Sequence, residues 1–437
     1  MNSQTGKEGR QVVIVGNGIA GITCARHIRK RDAKAQIKVI SGESEYFFSR
    51  TALMYVYMGH MKFDHIKPYE DWFWKKNRIE LLKDWVQDVD FENKRLILAS
   101  GSKVAYDILI LATGAKPNKF GWPGQDLEGV QGLYSKQDLE LMEKNTRGIK
   151  NAVVVGGGLI GVEMAEMLRS RDISVTFLVR EPAFWDIVLP REESLLVQRH
   201  MREHHVDLRL NTELKEIVDN GQGRAEAVIT QNGELIECGF VGLATGVKPN
   251  VDFLRGSPLN TNLGILIDEY FQTSVDDVFA IGDCAEFRQS PGPNRKNIEQ
   301  VWYTGRMHGE TLAYSLTEKP VPYKPGIWFN SAKFFDIEYQ SYGTVPNAPI
   351  KGIDSLYWEH DNGRICFRAV YETGSGVFIG ADSLGFRLRH EIMDQAIRER
   401  WPLDRVIGNL HKADFNPEFS QKNHKAIVEK FKIRLKI

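Results

Sequence analysis

Gln11-Val12-Val13-Ile14-Val15-Gly16-Asn17-Gly18-Ile19-Ala20-Gly21 is the stretch on which the fold turns. A short run rich in β-branched residues ends on glycine, as a parallel strand buried on both faces does. From Ile19 to Lys30 the apolar spacing becomes helical, and Ile37–Ile40 is a second strand, so the chain opens with a βαβ unit. Gly16 makes the tight turn, Gly18 lets the backbone approach a pyrophosphate, and Gly21 lets helix and strand pack closely. Ala20 lies in the same loop. A phosphate there meets free N–H groups and the positive end of the helix dipole. Glu43 follows Gly21 by 22 positions, just past the second strand. A carboxylate at that point can accept two hydrogen bonds from an adenosine ribose.

The pattern returns about 140 residues later. Ala152–Val155 is a strand, Leu159–Ser170 a helix and Val175–Val179 a strand, with Gly156-Gly157-Gly158-Leu159-Ile160-Gly161 as the loop. A repeat at that distance means two nucleotide sites, since solenoid periods are roughly 20–50 residues. The second unit's strand ends at Val179-Arg180, and no carboxylate closes it before Glu181. An arginine there suits a 2′-phosphate, which favours NADPH, with NADH the alternative.

The 437 residues exceed what one hydrophobic core supports. Lys plus Arg and Asp plus Glu are 57 each, a balance that speaks against a nucleic-acid-binding protein. Met1–Arg10 is polar, without an apolar signal region, and no stretch approaches the roughly 20 apolar residues of a membrane helix. Cys24, Cys238, Cys284 and Cys366 are too scattered for a disulfide framework or a zinc pattern. A cytoplasmic protein with reduced thiols is the expectation. His200-Met201-Arg202-Glu203-His204 spells a metalloprotease-like pattern. It falls on the helix after the second ribose strand, ahead of a strand at Val206–Leu210, and no metal site is expected there.

After Pro325 aromatics cluster (Trp328, Phe329, Phe334, Phe335, Tyr339, Tyr342) and short alternating runs such as Ile365–Val370 appear. This reads as a separate α+β domain. At the end, Lys430, Lys432, Arg434 and Lys436 alternate with Phe431, Ile433, Leu435 and Ile437. That is a strand period, carrying four positive charges on one face. It serves either as a guarded edge or as a docking surface for a small acidic electron-transfer protein.

Two nucleotide units in one chain resemble the pyridine nucleotide–disulfide oxidoreductase superfamily. Further motifs carry the likeness. Tyr106–Gly114, with Ala112-Thr113-Gly114 at its end, looks like the strand returning from the FAD domain. Gly242-Leu243-Ala244-Thr245-Gly246 looks like the crossing back, and Val278–Asp283, with Gly282-Asp283, like the motif whose aspartate binds the ribityl chain. The resemblance implies an α/β fold with two Rossmann-like domains. Residues 10–120 and 247–325 form a discontinuous FAD domain, 121–246 an inserted NAD(P) domain, and 326–437 the C-terminal domain.

Within the superfamily the chain is most similar to the ferredoxin and rubredoxin reductase branch. Phe48-Ser49-Arg50-Thr51-Ala52-Leu53-Met54-Tyr55 matches the branch's run at Arg50 and Leu53. Tyr55 stands where the branch has a flavin-side lysine that pairs with a glutamate, here Glu163. The likeness therefore implies Glu163, Arg50 and Tyr55 near the chemistry, with Glu163 satisfied differently. Glu299-Gln300-Val301-Trp302 resembles the start of the helix facing the flavin, and Trp328-Phe329 the aromatic cover. Disulfide reductases of the superfamily need a Cys-x-x-x-x-Cys pair on the first helix, and the peroxidase and coenzyme A disulfide branch needs a cysteine near residues 46–55. Both are missing here. Cys24 and Cys284 read as core. The expected function is hydride transfer from NAD(P)H to FAD, then electron transfer to ferredoxin or rubredoxin. The alternatives are an oxidase or quinone reductase with a small acceptor, and a flavoprotein that mainly binds partners.

Overall fold

In the computed structural model, residues 9–415 and 422–435 are described. The chain forms two compact, interleaved units. The first takes the chain up to Asn118, Gly132–Lys144 and Val247–Pro325. The second takes Lys119–Gln131, Asn145–Gly246 and the chain from Gly326 onward.

In the first unit, five parallel strands lie in the order Val278–Ala280, Ile108–Leu111, Gln11–Val15, Gln36–Ile40 and Ile79–Leu82. The central strands are apolar along their length because both faces are covered; Val12, Ile14, Leu109 and Ile110 are fully buried. The Ile19–Arg31 helix packs on the Trp302–Thr317 helix. Glycine permits this contact. A Cβ on Gly309 meets the Ala20 carbonyl oxygen at 2.5 Å and the Cys24 nitrogen at 2.9 Å.

The second unit repeats the plan. Its parallel sheet runs Val206–Arg209, Ser174–Leu178, Asn151–Val155, Phe240–Leu243 and Val130–Gln131. The same unit carries a five-stranded antiparallel sheet ordered Phe329–Phe334, Ile337–Gly343, Phe378–Leu384, Cys366–Glu372 and Ile353–Glu359. Helices His390–Arg398, Leu403–Gly408 and His424–Leu435 follow it. Tyr342, Phe367, Phe378 and Phe431 share their core.

The tail is the clear departure from the sequence reading. Residues from Phe431 to Leu435 continue the His424–Leu435 helix and form no strand. Ile427 and Phe431, four apart, are buried on one face, and that 3.6-residue period overrides the local alternation. Lys430 and Lys432 are exposed but project about 200° apart around the helix, so the alternating basic face does not form. Lys436 and Ile437 lie outside the described residues. Among the described residues no helix is long and apolar enough to cross a membrane.

Gly309→Ala should cost about 1–3 kcal/mol by overpacking the helix pair. A lowered thermal midpoint checks this, and an unchanged one shows that the helices separate freely.

Candidate dinucleotide sites

Gly16 has φ +109°, and a Cβ there meets the Ala112 carbonyl oxygen at 2.1 Å. Its N–H donates to the Ile40 carbonyl at 2.8 Å. A Cβ on Gly21 meets the Gly16 carbonyl at 2.1 Å, whereas one on Gly18 meets nothing within 4 Å. Gly18 caps the Ile19–Arg31 helix with no side-chain hydrogen bond and no acidic residue in the first turn. The first-turn N–H groups thus border open space suited to an anion. These features fit the pyrophosphate of a dinucleotide.

Around the loop the first unit gathers charged groups from distant segments. Arg50 donates to both Glu43 oxygens at 2.7 and 2.6 Å and to the Tyr134 carbonyl at 2.6 Å. Its guanidinium lies 4.4 Å from the Tyr134 ring centroid. The Lys136 N–H donates to Glu43 at 2.9 Å. Tyr134 Oη donates to Asp283 Oδ2 at 3.1 Å and accepts from the Ala115 N–H at 3.1 Å. Burial pushes the Asp283 carboxyl up, while Tyr134 and Arg50 oppose it. Arg50 is itself raised: burial lowers it, but its hydrogen-bonded ion pair with Glu43 outweighs that. A carboxylate offers about four lone-pair sites, and Glu43 uses three of them here. Thr113 Oγ1 donates to the Asn250 carbonyl at 2.8 Å, and Gly114 has φ +69° beside Tyr134. Tyr134 is the residue that sequence reasoning missed. It stands 84 positions from Arg50, in a segment between the two repeats that has no motif.

Glu299 is 4% exposed and faces the interior. It accepts from Arg295 at 3.0 Å and Tyr323 Oη at 2.9 Å, and His308 Nε2 lies 3.4 Å away. Burial opposes its ionisation, but His308, Arg295 and Tyr323 together hold it below the usual carboxylate range. His308 Nδ1 in turn accepts the Gly282 N–H at 3.1 Å, so this chain of contacts holds the loop carrying Asp283. Gln300, next in sequence, has a buried Nε2 with no partner, a donor that a bound ligand's oxygen can satisfy. Trp302 opens the Trp302–Thr317 helix in the first unit. Trp328 belongs to the second unit, where its carbonyl accepts from the Gly343 N–H at 2.8 Å.

In the second unit, Gly156 has φ +119°, and a Cβ there meets the Ala244 carbonyl at 2.4 Å, two residues before Gly246. Gly158 is as open as Gly18, and the Leu159–Arg169 helix beginning Leu159-Ile160-Gly161 has no acidic residue in its first turn. Register then shows which positions of the two units correspond. Val15 pairs with Ile40, and Val155 pairs with Leu178. Gly16 donates to Ile40, and Gly156 to Leu178 at 3.0 Å. Glu43 lies three residues past Ile40, and Glu181 lies three past Leu178. The equivalent of Glu43 is therefore Glu181, not Val179 or Arg180. Arg180 has a 71% exposed side chain paired with Glu181 at 2.7 Å. Strand lengths cannot be read to a single residue from sequence, which is why the arginine looked like the strand end.

Glu163 sits on the Leu159–Arg169 helix in the second unit, and burial, reinforced by Glu166, pushes its carboxyl up to about 7. Lys333 opposes that rise and pairs with Glu166 at 2.8 Å. Tyr55 is half-buried in the first unit, on the Leu53–Tyr57 helix, its ring 6.3 Å from that of His60. All four cysteines are unpaired and buried. Burial drives the Cys24 and Cys284 thiols up, and the Cys284 thiol donates to the Leu111 and Ile281 carbonyls at 3.4 and 3.3 Å.

The family model described as pyridine nucleotide-disulphide oxidoreductase matches residues 10–309. A nitrite reductase [NAD(P)H] of Bacillus subtilis is 32% identical over 392 residues, 89% of this chain. The chain spans 48% of that relative's length. A ferredoxin reductase structure from Rhodopseudomonas palustris has a TM-score of 0.79 at 25% identity, over 96% of this chain and 100% of that one. A NAD-dependent persulfide reductase from A. fulgidus has a TM-score of 0.83 at 25% identity, over 98% and 84%.

Tyr134→Phe removes the donor to Asp283 and the acceptor for the Ala115 N–H. Each buried group left unpaired costs about 1–3 kcal/mol. The variant should release flavin on gel filtration at concentrations where the parent keeps it. Equal flavin-to-protein absorbance ratios would count against a role for Tyr134 in the site.

Proposed function

The chain belongs to the pyridine nucleotide-disulphide oxidoreductase family, with FAD and a nicotinamide dinucleotide as its cofactors, and we propose that it passes electrons from NADH to a small redox protein without an internal disulfide. The observation that carries this reading is the pair of like-built glycine loops, each with a carboxylate three residues past its second strand. The flavin supplies the redox chemistry when bound; the chain's residues orient it and set its surroundings. Gly16, Gly18 and Gly21 open the first pyrophosphate cradle, Glu43 takes the adenosine ribose, and Asp283 takes the ribityl chain. Gly156, Gly158 and Gly161 do the same for NADH, with Glu181 on its ribose.

Glu181 supports NADH because a carboxylate at that point repels a 2′-phosphate. Arg180 already spends its charge on Glu181. Direct electron release is supported by the thiols. A redox thiol must be a thiolate in a polar, accessible setting, and Cys24 and Cys284 are fully buried. A ferredoxin- or rubredoxin-type acceptor is supported by the likeness to ferredoxin reductase across nearly the whole chain. The nitrite and persulfide reductases match this chain over most of its length and carry other acceptor names, so the acceptor is the part to test.

Anaerobic reduction with one equivalent of NADH should bleach the flavin and expose no thiol to alkylation beyond those of the oxidised protein. Reduced ferredoxin or rubredoxin should then form at a rate set by its concentration. Two new alkylatable thiols per flavin would replace this reading with a disulfide mechanism.

Glu181→Ala should raise KM for NADH roughly ten- to hundredfold, the worth of about 1.5–3 kcal/mol of charge-assisted hydrogen bonding. It should narrow the preference over NADPH, measured as the ratio of kcat/KM values. A parent enzyme that already prefers NADPH overturns the cofactor assignment.

A further inference from the structure

The second unit holds a side-chain cluster that dinucleotide binding does not use. His200 and His204 stand four residues apart at the end of the Arg191–Glu203 helix and so share one face. Asp336 comes from the tight turn between strands Phe329–Phe334 and Ile337–Gly343, where Phe335 has φ +55°. Asp336 Oδ1 lies 2.5 Å from His200 Nε2 and 3.1 Å from His204 Nε2. One ligand atom from each residue lies within 4.8 Å of the other two. The Phe335 ring stacks on His204 with centroids 4.4 Å apart and planes 11° from parallel, fixing the imidazole.

The tautomer of His200 points further. Its side chain is 1% exposed, and its Nδ1 is buried with no hydrogen-bond partner. Glu203 Oε2 lies 3.6 Å from that nitrogen. With the proton on Nε2, toward Asp336, the Nδ1 lone pair faces a carboxylate and both are acceptors. A cation on Nε2 reverses this. The imidazole then carries its proton on Nδ1 and donates it to Glu203, as metal-bound histidines ordinarily do to a carboxylate. Arg364 holds Glu203 at 3.0 Å.

We propose that His200, His204 and Asp336 bind one first-row divalent transition-metal ion, of which Zn2+ is the best fit, with water completing the coordination. Two imidazoles and one carboxylate suit Zn2+ and its neighbours rather than Mg2+ or Ca2+. Bonds of about 2.0–2.2 Å place tetrahedral ligands roughly 3.4 Å apart. The Asp336 side chain is 62% exposed, with room for the shift of under about 1 Å that takes its present 2.5 and 3.1 Å separations to that spacing. The ion clamps the helix after the second ribose strand to the first hairpin of the antiparallel sheet. This departs from the sequence reading, which set the histidine pattern aside because it falls on the helix between two strands of the nucleotide unit; Asp336, 132 positions beyond His204, gives no local signal.

The test uses the full-length, FAD-loaded protein, stripped with a chelator and titrated with Zn2+ by calorimetry, with Co2+ absorption as a probe of geometry. One Zn2+ per chain is expected. His204→Ala and Asp336→Asn, both at accessible positions, should each weaken binding by more than the roughly 10–100-fold that an outer-shell partner costs. Glu203→Gln should fall within that range. Flavin content and NADH reduction report that the variants are folded. Zn2+ should raise the thermal midpoint of the parent and not of the two ligand variants. No stoichiometric uptake by the parent overturns the proposal, as does uptake that survives both ligand substitutions.

Discussion

Both halves of this molecule depend on the contact between a strand-end glycine and the carbonyl of the neighbouring strand. At Gly16 a Cβ falls 2.1 Å from the Ala112 oxygen, and at Gly156 one falls 2.4 Å from the Ala244 oxygen. Positive φ values of 109° and 119° turn the chain there. The turn aims the following helix so that its free N–H groups face outward over the strand ends. Everything that a dinucleotide needs then lies in register with that turn, including the acid three residues past the next strand.

Charge is what distinguishes the two halves. In the first unit Glu43 does not stand alone, because Arg50 engages both of its oxygens and reaches Tyr134, which in turn holds Asp283. Leaving any member unpaired costs more than the pairs gain, so the network keeps one geometry. Behind it, Glu299 and His308 extend the same principle one layer deeper and fix the Gly282 N–H. In the second unit Glu181 has an exposed arginine as partner and remains near the surface. A deeply networked site suits a group that stays, and a shallow, exchangeable one suits a nucleotide that comes and goes.

How much of this was legible depends on distance along the chain. The two βαβ units could be read because strand, loop, helix and acid fall within about 30 residues, and local apolar periods mark each piece. The glycines were legible for the same reason. In the second unit the sequence alone singled out Arg180 at the strand end, and only sheet register shows that Glu181 holds the position matching Glu43. The basic tail was read as a strand because alternation is a weak signal over seven residues. Ile427 lies outside that window, and its burial on one face with Phe431 decides for a helix. Tyr134, His308 and Asp336 carry no motif, and only the fold brings them to their partners.

The C-terminal region shows the limit of motif reading most plainly, and its charges follow the same logic. Arg368, on the Cys366–Glu372 strand, donates to Glu193 at 2.7 and 2.9 Å and to Glu192 at 2.7 Å. Glu193 is 0% exposed and Asp382 1% exposed, and burial, with Glu193 adding, pushes the Asp382 carboxyl up to about 8. Buried charge is tolerated only when paired. One arginine therefore neutralises the deepest glutamate while the neighbouring aspartate keeps its proton near neutrality. The Arg191–Glu203 helix thus supplies both ends of its own attachment to the antiparallel sheet. Glu192 and Glu193 meet Arg368 at its first turn, and His200 and His204 meet Asp336 at its last. Polar contacts thus hold this helix against the antiparallel sheet at both of its ends.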